Sequence, residues 1–305
     1  MEARILVAQP RGFCAGVVRA IKAAKDIVAE LGVPAYLPHP VVHNELVIKD
    51  LEKQGIYSVS GVESVPDGAV CIFSAHGSPE MDYRLAAEKK LRVVDATCPL
   101  VTKVHNEARK YSKEGYDILL IGHKDHPEVR GTMGQVGMTL ISEKDSPPTF
   151  HRPVAVLTQT TLSKRDVAQS VEKIRDQYPS AIIRDDICYA VSNRQDAVVR
   201  LIEDGADLVL VLGSKDSSNS VRMKEVAESL GVTAYLLLDA SEFTSSMLEN
   251  SQSVGISAGA STPESVVDEM LEILQQRLGV EPEIIEVADE SGVIFTDAKR
   301  LWSEA

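Results

Sequence analysis

The sequence lacks the features that mark several large classes of protein. No apolar run approaches the roughly 18 residues that span a bilayer, and Ile5-Leu6-Val7-Ala8 reads as a strand rather than as part of a signal or transit peptide. The four cysteines are too few and too dispersed for a secreted disulfide scaffold. Only 32 basic residues face 45 acidic ones, for a net charge of -13, which disfavours nucleic-acid partners. We therefore expect a cytoplasmic, soluble, multidomain protein with reduced thiols and no membrane contact.

Two nucleotide-binding signatures are also missing. The sequence contains neither a Gly-x-Gly-x-x-Gly fingerprint nor a P-loop. Nicotinamide, flavin and nucleoside triphosphates therefore have no evident binding motif.

One plan of strand, cysteine and helix occurs three times. The strands Ala3–Ala8, Arg92–Thr97 and Ile182–Ile187 precede Cys14, Cys98 and Cys188, which are 84 and 90 residues apart. An amphipathic helix follows each cysteine, and three further strands follow each helix. Alternating strands and helices predict parallel sheets with right-handed crossovers, which bind ligands beyond the carboxyl ends of the strands.

The predicted fold is α/β, with three similar units whose small parallel sheets are arranged pseudo-threefold around a central site. The unit boundaries are predicted at 1–97, 98–185 and 186–280, followed by a tail at 281–305. In each unit the fourth strand leads to a capped helix. The predicted caps lie at Ser78-Pro79-Glu80, at Ser163 with Asp166, and at Thr262-Pro263-Glu264.

Cys14, Cys98 and Cys188 occupy the same place in their units, just before a helix N-terminus that favours thiolate over thiol. A structural zinc site needs four ligands, usually in close pairs, and no fourth cysteine has this placement. Three thiolates suit a [4Fe–4S] cluster with one open iron that acts as a Lewis acid. Cys71, within the apolar run Ala69–Phe73, is interpreted as a core residue.

The other loops after the strands are rich in compact hydrogen-bond donors and histidines. They contain His43, His76, His126, Thr160, Ser217, Ser218, Asn219 and Ser261. With helix N-termini nearby, this set is typical of a phosphate or diphosphate site. Glu128 is the one carboxylate that its motif places there, which suggests a proton donor. His39, His105 and His151 are interpreted as surface or packing residues, whereas His123 stays ambiguous.

Short motifs in all three units resemble those of a known family, the 4-hydroxy-3-methylbut-2-enyl diphosphate reductases of the non-mevalonate isoprenoid pathway. In the first half they are Pro10-Arg11-Gly12-Phe13-Cys14-Ala15-Gly16-Val17, Val41-Val42-His43-Asn44, Ser74-Ala75-His76-Gly77, Asp95-Ala96-Thr97-Cys98-Pro99 and Gly122-His123-x-x-His126-Pro127-Glu128. In the second half they are Thr158-Gln159-Thr160-Thr161-Leu162-Ser163, Ile187-Cys188-Tyr189-Ala190, Asn193-Arg194-Gln195, Ser217-Ser218-Asn219-Ser220 and Ala258-Gly259-Ala260-Ser261.

The resemblance implies an oxidoreductase that converts the allylic diphosphate to isopentenyl and dimethylallyl diphosphate by two-electron reductive dehydroxylation. It implies one [4Fe–4S] cluster held by Cys14, Cys98 and Cys188, with the substrate hydroxyl at the open iron. It assigns diphosphate binding to one set of side chains: His43, His76, His126, Thr160, Ser217, Ser218, Asn219 and Ser261. Glu128, with Thr160 nearby, would deliver protons, and ferredoxin or flavodoxin would supply electrons. A monomer is expected, since the enclosed site needs no partner subunit.

Two departures from the family pattern stand near the implied site. Val191 replaces a common threonine, and Asp216 stands where asparagine is common, with its carboxylate expected to point outward.

The residues alone leave two other functions open. One is a phosphometabolite-binding protein with structural cysteines. The other is a zinc hydrolase with His43, His76 and His126 as ligands and Glu128 as base, which gives the three placed cysteines no task.

Overall fold

The computed structural model describes residues 3–302, apart from the side chain of Asp166. The chain divides into two compact bodies. Body 1 comprises residues 3–15, 43–47 and 189–294, and body 2 comprises residues 16–42, 48–188 and 295–302. Over the described range no helix is both long and apolar enough to cross a membrane.

Residues 3–302 form nine α-helices and fourteen β-strands. The helices are α1 (Ala15–Leu31), α2 (Glu45–Lys53), α3 (Glu80–Glu88), α4 (Pro99–Lys113), α5 (Pro127–Met133), α6 (Lys164–Gln177), α7 (Tyr189–Glu203), α8 (Ser218–Ser229) and α9 (Glu264–Leu278). The strands are β1 (Arg4–Gln9), β2 (Ala35–Leu37), β3 (Ile56–Ser58), β4 (Val70–Phe73), β5 (Arg92–Asp95), β6 (Asp117–Ile121), β7 (Thr139–Ile141), β8 (Val154–Thr158), β9 (Ile182–Ile183), β10 (Leu208–Leu212), β11 (Thr233–Leu237), β12 (Ser253–Ala258), β13 (Pro282–Glu286) and β14 (Lys299–Arg300).

Body 1 is built on one parallel sheet with the strand order β11-β10-β12-β1-β13. Its central strands β10 and β12 are buried along their whole length. One face of the sheet packs on α9 through Val267, Met270 and Leu274. The other face packs on α7 and α8, with Val198 and Met223 in the core. Because both faces are covered, the strands are nearly continuous apolar runs.

Body 2 contains two sheets. One has the order β14-β5-β4-β2-β3, in which only β14 runs antiparallel to its neighbour. The other has the order β7-β6-β8-β9 and is parallel throughout. In β6, Ile118 and Leu120 face the core beside α4, whereas Leu119 and Ile121 face the core beside α6. The alternation follows from the two-residue period of a strand.

The predicted α/β class with three small, mainly parallel sheets is confirmed. The unit boundaries stay a prediction, with one change. Strand β1 lies within the predicted first unit, residues 1–97. It pairs with β12, however, and so belongs to the sheet of the third unit. The tail, predicted to lie outside the repeat, contributes one strand to each of two sheets: β13 lies beside β1, and β14 lies beside β5.

The predicted side-chain caps of α3 and α9 are wrong, although all three helices are present. α3 and α9 begin after Pro79 and Pro263, and α6 begins after Ser163, in each case without a capping side-chain hydrogen bond. The hydroxyl of Thr262 donates instead to the carbonyl oxygen of Leu212, at 3.0 Å. The predicted partner of Ser163, the Asp166 side chain, lies outside the described part of the structure. Because Pro79 and Pro263 occupy the N-cap positions of α3 and α9, these two helices begin without a hydroxyl cap.

Candidate functional site

Each of the three repeated cysteines stands at the start of a long helix. α1 begins directly after Cys14, α7 begins directly after Cys188, and Cys98 is the N-cap residue of α4. All three are half-buried, and none of the four cysteines, all of which lie within residues 3–302, forms a disulfide. Each thiol therefore lies beside the backbone N–H groups of a first helical turn.

The main chain ties each of these cysteines to a loop that follows a strand. The hydrogen bonds run from the Cys14 amide to Ala260 O at 3.2 Å, from the Cys98 amide to Ala75 O at 3.0 Å, and from the Cys188 amide to Thr160 O at 2.9 Å. These loops carry Ser261, His76 and Thr160, which the sequence assigns to ligand binding. The same bond made three times is the structural counterpart of the sequence repeat.

Cys71 differs from the other three cysteines. It lies fully buried in the middle of β4, and burial raises the pKa of its thiol to about 12. A thiol that stays protonated at neutral pH is neither a nucleophile nor a metal ligand. The interpretation of Cys71 as a core residue agrees with this environment.

Two of the predicted phosphate-binding histidines lie side by side in body 2. The rings of His76 and His126 meet edge to face, with their centroids 5.8 Å apart. His126 is the N-cap residue of α5, and its Nδ1 atom accepts the backbone N–H of Glu128 at 3.2 Å. Since Nδ1 accepts, the neutral His126 ring carries its proton on Nε2. Both rings can donate to an anion, most strongly when they are protonated.

Glycines allow the close approach of the two histidine loops. A Cβ atom on Gly131, in α5, would lie 2.9 Å from the carbonyl oxygen of Gly77. A Cβ atom on Gly77 would lie 2.7 Å from Cε1 of His105, and the φ angle of Gly77 is +81°. The distance between the His76 loop and the start of α5 therefore depends on residues without a side chain.

Glu128 and Thr160 form a buried pair in body 2. The Oε1 atom of Glu128 accepts the Thr160 backbone N–H at 2.6 Å, and Oε2 accepts the Thr160 hydroxyl at 2.8 Å. Both side chains are at least 96% buried, with relative exposures of 2% and 4%. Because the carbonyl oxygen of Thr160 accepts the Cys188 amide, the predicted proton donor is joined through one residue to a predicted cluster ligand.

Burial raises the pKa of Glu128 to about 7. The two hydrogen bonds from Thr160 oppose this rise because they favour the carboxylate, and the charge of Asp186 adds to it. A carboxyl group with a pKa near neutrality is present in both protonation states at working pH, as a general acid requires.

Asp186 is a buried carboxylate that the sequence analysis missed. Its side chain is 1% exposed, and Oδ1 lies 3.1 Å from Nζ of Lys103 on α4. Burial raises its pKa, which the Lys103 partner opposes. Asp186 contributes to the electrostatics of Glu128 from a position two residues before Cys188. The only signal in the sequence was the acidic pair Asp185-Asp186, which is more typical of an exposed loop.

His43 and Ser261 lie together in body 1. The hydroxyl of Ser261 donates to the carbonyl oxygen of His43 at 3.1 Å. Burial lowers the pKa of His43, and the negative charge of Asp216 opposes that effect. Asn44, the next residue, is buried and accepts the backbone N–H of Leu46 at 3.0 Å, which anchors the His43 loop to the start of α2.

The serine-rich loop of body 1 forms the N-terminus of α8. Ser217 is the N-cap residue, and its hydroxyl oxygen accepts the Ser220 backbone N–H at 3.3 Å, while Ser218 is half-buried. Asn219 is 3% exposed, and within residues 3–302 its Oδ1 atom has no hydrogen-bond partner. The backbone N–H groups at this helix start suit a bound anion, whereas the unpartnered Oδ1 atom of Asn219 is an acceptor and needs a donor.

The four remaining histidines have other surroundings. His105 is buried under Gly77, and burial lowers its pKa to about 4, so the ring stays neutral. His39 lies 3.7 Å from a carboxylate oxygen of Asp82, and His151 is exposed. The ambiguous His123 is turned to Glu143, with its Nε2 atom 3.2 Å from the carboxylate. These positions agree with surface or packing roles.

The two departures from the family pattern are placed differently. Val191 is 2% exposed, so it fills apolar space where a threonine would need a partner for its hydroxyl. Asp216 is exposed, as expected, but its charge still acts on His43.

A buried arginine in body 1 holds the loop that carries Cys14, a role the sequence analysis did not assign. Arg194, on α7, is 0% exposed and donates to Gly12 O through Nε at 3.1 Å and through Nη2 at 2.7 Å. Its Nη1 atom donates to the carboxylate of Glu290, at 3.0 Å. The arginine therefore connects the tail to the main chain two residues before Cys14.

Replacing Arg194 with Met is expected to lower the free energy of unfolding by about 3–5 kcal/mol, because it leaves Glu290 without its buried partner. Amides of residues 11–16 should exchange hydrogen faster, which mass spectrometry can measure. Arg4→Met, which removes the exposed Arg4–Glu283 pair, is the matched control and should cost at most about 1 kcal/mol. Equal costs for the two variants would contradict the role assigned to Arg194.

The donor sets distinguish a single metal ion from a cluster. No three His, Cys, Asp or Glu side chains among the described residues surround one metal position. A zinc hydrolase would need His43, His76 and His126 around one ion, and it leaves the three repeated cysteines without a role. In a [4Fe–4S] cluster each cysteine binds a different iron and need not share a metal position. Three half-buried thiols at helix N-termini fit that donor set.

Comparison with known proteins identifies similar chains over nearly the whole length. A family model described as LytB protein matches residues 5–275. A protein of Nitrosomonas europaea named 4-hydroxy-3-methylbut-2-enyl diphosphate reductase is 48% identical over 284 residues, which cover 90% of this chain and 88% of that protein. A protein of the same name from Salmonella schwarzengrund is 42% identical and covers 98% of this chain and 97% of its own.

Two solved structures have the same fold. The E-1-hydroxy-2-methyl-but-2-enyl-4-diphosphate reductase of Plasmodium falciparum matches with a TM-score of 0.92 at 33% identity, over 97% of this chain and 96% of that one. A second structure, described as (E)-4-hydroxy-3-methyl-but-2-enyl diphosphate reductase, the terminal enzyme of the non-mevalonate pathway, matches with a TM-score of 0.65 at 30% identity. It covers 90% of this chain and 99% of its own.

Proposed function

We propose a function for this chain from the family to which it belongs, the LytB protein family. The chain reduces 4-hydroxy-3-methylbut-2-enyl diphosphate to isopentenyl and dimethylallyl diphosphate. This reaction is the last step of the non-mevalonate pathway. Two electrons and two protons are consumed, the allylic C–O bond breaks, a C–H bond forms, and the hydroxyl leaves as water. The observation that carries the proposal is the buried Glu128–Thr160 pair, with its neutral-range pKa, bonded to the Cys188 loop.

Cys14, Cys98 and Cys188 hold one [4Fe–4S] cluster in this proposal, leaving one iron without a protein ligand. When bound, the cluster supplies single electrons and a Lewis-acidic iron for the substrate hydroxyl. The helix N-termini at the three cysteines stabilise thiolates. The main-chain bonds to the strand-end loops hold each cysteine beside a substrate-binding segment.

The diphosphate is bound by side chains that offer hydrogen-bond donors and positive charge. His43, His76, His126, Thr160, Ser217, Ser218, Asn219 and Ser261 form this set. The edge-to-face pair His76–His126 concentrates two imidazoles on one anion. The N-terminus of α8 adds backbone N–H donors, and the side-chain amide nitrogen of Asn219 adds a further donor.

Glu128 delivers a proton to the departing hydroxyl. Its carboxyl group is shielded from water, so its proton is exchanged through its partner rather than with bulk solvent. Thr160 donates both its N–H and its hydroxyl to Glu128, and these bonds fix the orientation of the carboxyl plane. The hydroxyl of Thr160 can turn over and pass a proton between Glu128 and the substrate.

An external carrier such as ferredoxin or flavodoxin delivers the two electrons singly, and the protein acts as a cytoplasmic monomer. The three thiols must stay reduced for the cluster to assemble, which favours a reducing compartment. Size-exclusion chromatography with light scattering on the anaerobic protein tests the monomer.

Anaerobic purification followed by an assay tests the function. The protein is expected to be brown, to carry about four irons and four sulfides per chain, and to convert the synthetic allylic diphosphate with reduced methyl viologen. A colourless protein that binds the diphosphate without turnover would favour a phosphometabolite-binding protein. A colourless protein with tightly bound zinc would favour the hydrolase.

Replacing His76 or His126 with Ala is expected to raise the substrate dissociation constant about 10- to 100-fold, since each removes a hydrogen bond to an anion worth about 1.5–3 kcal/mol. His43→Ala should have a smaller effect, because burial lowers the pKa of His43 and favours its neutral form. Isothermal titration with the oxidised holoenzyme measures the constants. His151→Ala, at an exposed position, is the control. Loss of the cluster spectrum in the His76 or His126 variant would instead indicate a metal-ligating role.

A further inference from the structure

A polar groove in body 2 lies outside the residues assigned to the substrate. Its volume is about 480 Å³, and it runs between one side of α4 and the tail residues that precede β14. Thr97 and Pro99, the two neighbours of Cys98, both line it. We call it the Cys98 groove. The groove therefore borders the residues on both sides of a proposed cluster ligand.

The bases of the Cys98 groove are turned outward. Lys103 and Lys110 are exposed on α4, and Lys299 is exposed on the tail. Within residues 3–302, neither Lys110 nor Lys299 has a carboxylate at ion-pairing distance. Arg19 donates only to carbonyl oxygens, namely those of Ala96, Thr97, Thr296 and Asp297. Its charge is therefore not neutralised by a bonded acid.

The two acids that line the Cys98 groove, Asp95 and Glu107, and the acid that pairs with Lys103 are turned inward. Asp186, the partner of Lys103, has a side chain 1% exposed, against 47% for the lysine. Glu107 is 12% exposed and pairs with Arg184, which is 41% exposed. Asp95 is occupied by hydrogen bonds from Thr97 and from the hydroxyl of Tyr83. The surface of the groove is therefore positive, although the chain as a whole has a net charge of -13.

The position of this positive surface determines what it can serve. Electron transfer between proteins slows steeply with distance, so a donor must dock close to an acceptor ligand. A positive surface on an acidic protein attracts an acidic partner to this place and repels it elsewhere. We propose that the Cys98 groove is the docking surface for a small acidic one-electron carrier protein, which delivers electrons beside Cys98. This inference rests on the proposed function, since only a reductase needs such a carrier.

Charge reversal tests the proposal through binding as well as turnover. The double variant Lys110→Glu/Lys299→Glu is expected to raise the dissociation constant for a plant-type [2Fe–2S] ferredoxin at least about tenfold at about 20 mM ionic strength, because like charges then face each other. The difference should shrink at about 300 mM ionic strength. Turnover of the allylic diphosphate with reduced methyl viologen should stay within about twofold of the parent, since neither lysine touches the substrate set.

Matched controls separate docking from the overall charge. Lys49→Glu/Lys224→Glu changes the formal charge equally at exposed or half-exposed lysines that do not line the groove, and should bind ferredoxin like the parent. Equal weakening in both double variants, or an unchanged ferredoxin constant in Lys110→Glu/Lys299→Glu, would overturn the proposal. The proposal would also be overturned if a single-stranded oligonucleotide bound the parent as tightly as ferredoxin does and the same substitutions weakened that binding. The groove would then attract any polyanion.

The proposed function fails by a different result. If the parent holoenzyme does not reduce the allylic diphosphate with methyl viologen, the reductase assignment is wrong. The docking surface is judged on the ferredoxin dissociation constants alone, which need no turnover.

Discussion

A Glu128→Gln enzyme is expected to turn over the allylic diphosphate about 10²- to 10⁴-fold more slowly than the parent, which is the usual contribution of a general acid. The amide keeps the size of the side chain and can still accept the Thr160 N–H, but it cannot give up a proton. Iron content and substrate affinity should therefore stay close to those of the parent. Thr160→Val, which removes only the hydroxyl bonded to Glu128, should show a smaller loss.

Steady-state kinetics with reduced methyl viologen measure these losses. In the parent, the rate should fall as the pH rises through about 7, because the protonated form of Glu128 is then depleted. The Glu128→Gln variant should not show this fall in rate with pH. Glu249→Gln, at an exposed position, is the control. Turnover of Glu128→Gln within a few-fold of the parent would mean that water or the substrate's diphosphate supplies the proton.

The same substitution should change how stability depends on pH. The folded pKa of Glu128, about 7, lies above the ordinary value of 4.5, so between these values the folded state holds a proton that the unfolded state releases. The parent therefore loses stability from this group as the pH rises from 4.5 to 7, and the variant does not. Between pH 4.5 and 7, the free energy of unfolding of the variant should rise by up to about 3 kcal/mol relative to that of the parent, which denaturant unfolding can measure.

Loss of any one of the three repeated cysteines is expected to abolish activity together with most of the bound iron. Cys14→Ser, Cys98→Ser and Cys188→Ser each replace a thiolate at a helix N-terminus with a hydroxyl that stays protonated at neutral pH. Iron and sulfide analysis of the anaerobically purified variants measures the effect. Circular dichroism should show retained secondary structure, because all three cysteines lie at helix starts rather than in a packed core.

Cys71→Ala is the matched control. It removes the one cysteine whose thiol is fully buried, with a pKa of about 12, and should keep iron and activity at a folding cost of at most a few kcal/mol. Full iron content in Cys188→Ser, or loss of the cluster from a folded Cys71→Ala, would contradict the ligand assignment.

The sequence predicted the features that depend on local patterns. Strands follow the helix after Cys98 as predicted, and in β6 apolar residues buried on both faces form a continuous run. The helices after Cys14, Cys98 and Cys188 follow from amphipathic periodicity. The neighbouring His76 and His126 were assigned to one ligand from their equivalent positions after strands. His76 follows β4 and His126 follows β6, which lie in different sheets, so their contact also needed the expectation that the repeated units meet around one site.

What the sequence did not reveal depends on partners far apart in the chain. Arg194 is buried because Gly12 and Glu290 accept its hydrogen bonds, and these residues are 182 and 96 positions away. Asp186 is buried because Lys103 pairs with it, 83 positions away. Charged residues are usually exposed, so no local signal separates these two from surface residues. The caps failed for a similar reason, since Thr262 bonds to Leu212 rather than to its own helix.

The pairing of β1 with β12 and β13 has a consequence for the order of events during synthesis. Leu6 is aligned with Gly255 on one side and with Glu283 on the other. The first strand to leave the ribosome therefore waits for nearly the whole chain before it has neighbours, and such distant pairings form slowly. Until then the segment that ends at Cys14 has no fixed place, whereas the strands around Cys98 and Cys188 pair with residues made much earlier. If Cys14 holds the proposed cluster, we expect cluster insertion to follow completion of the polypeptide.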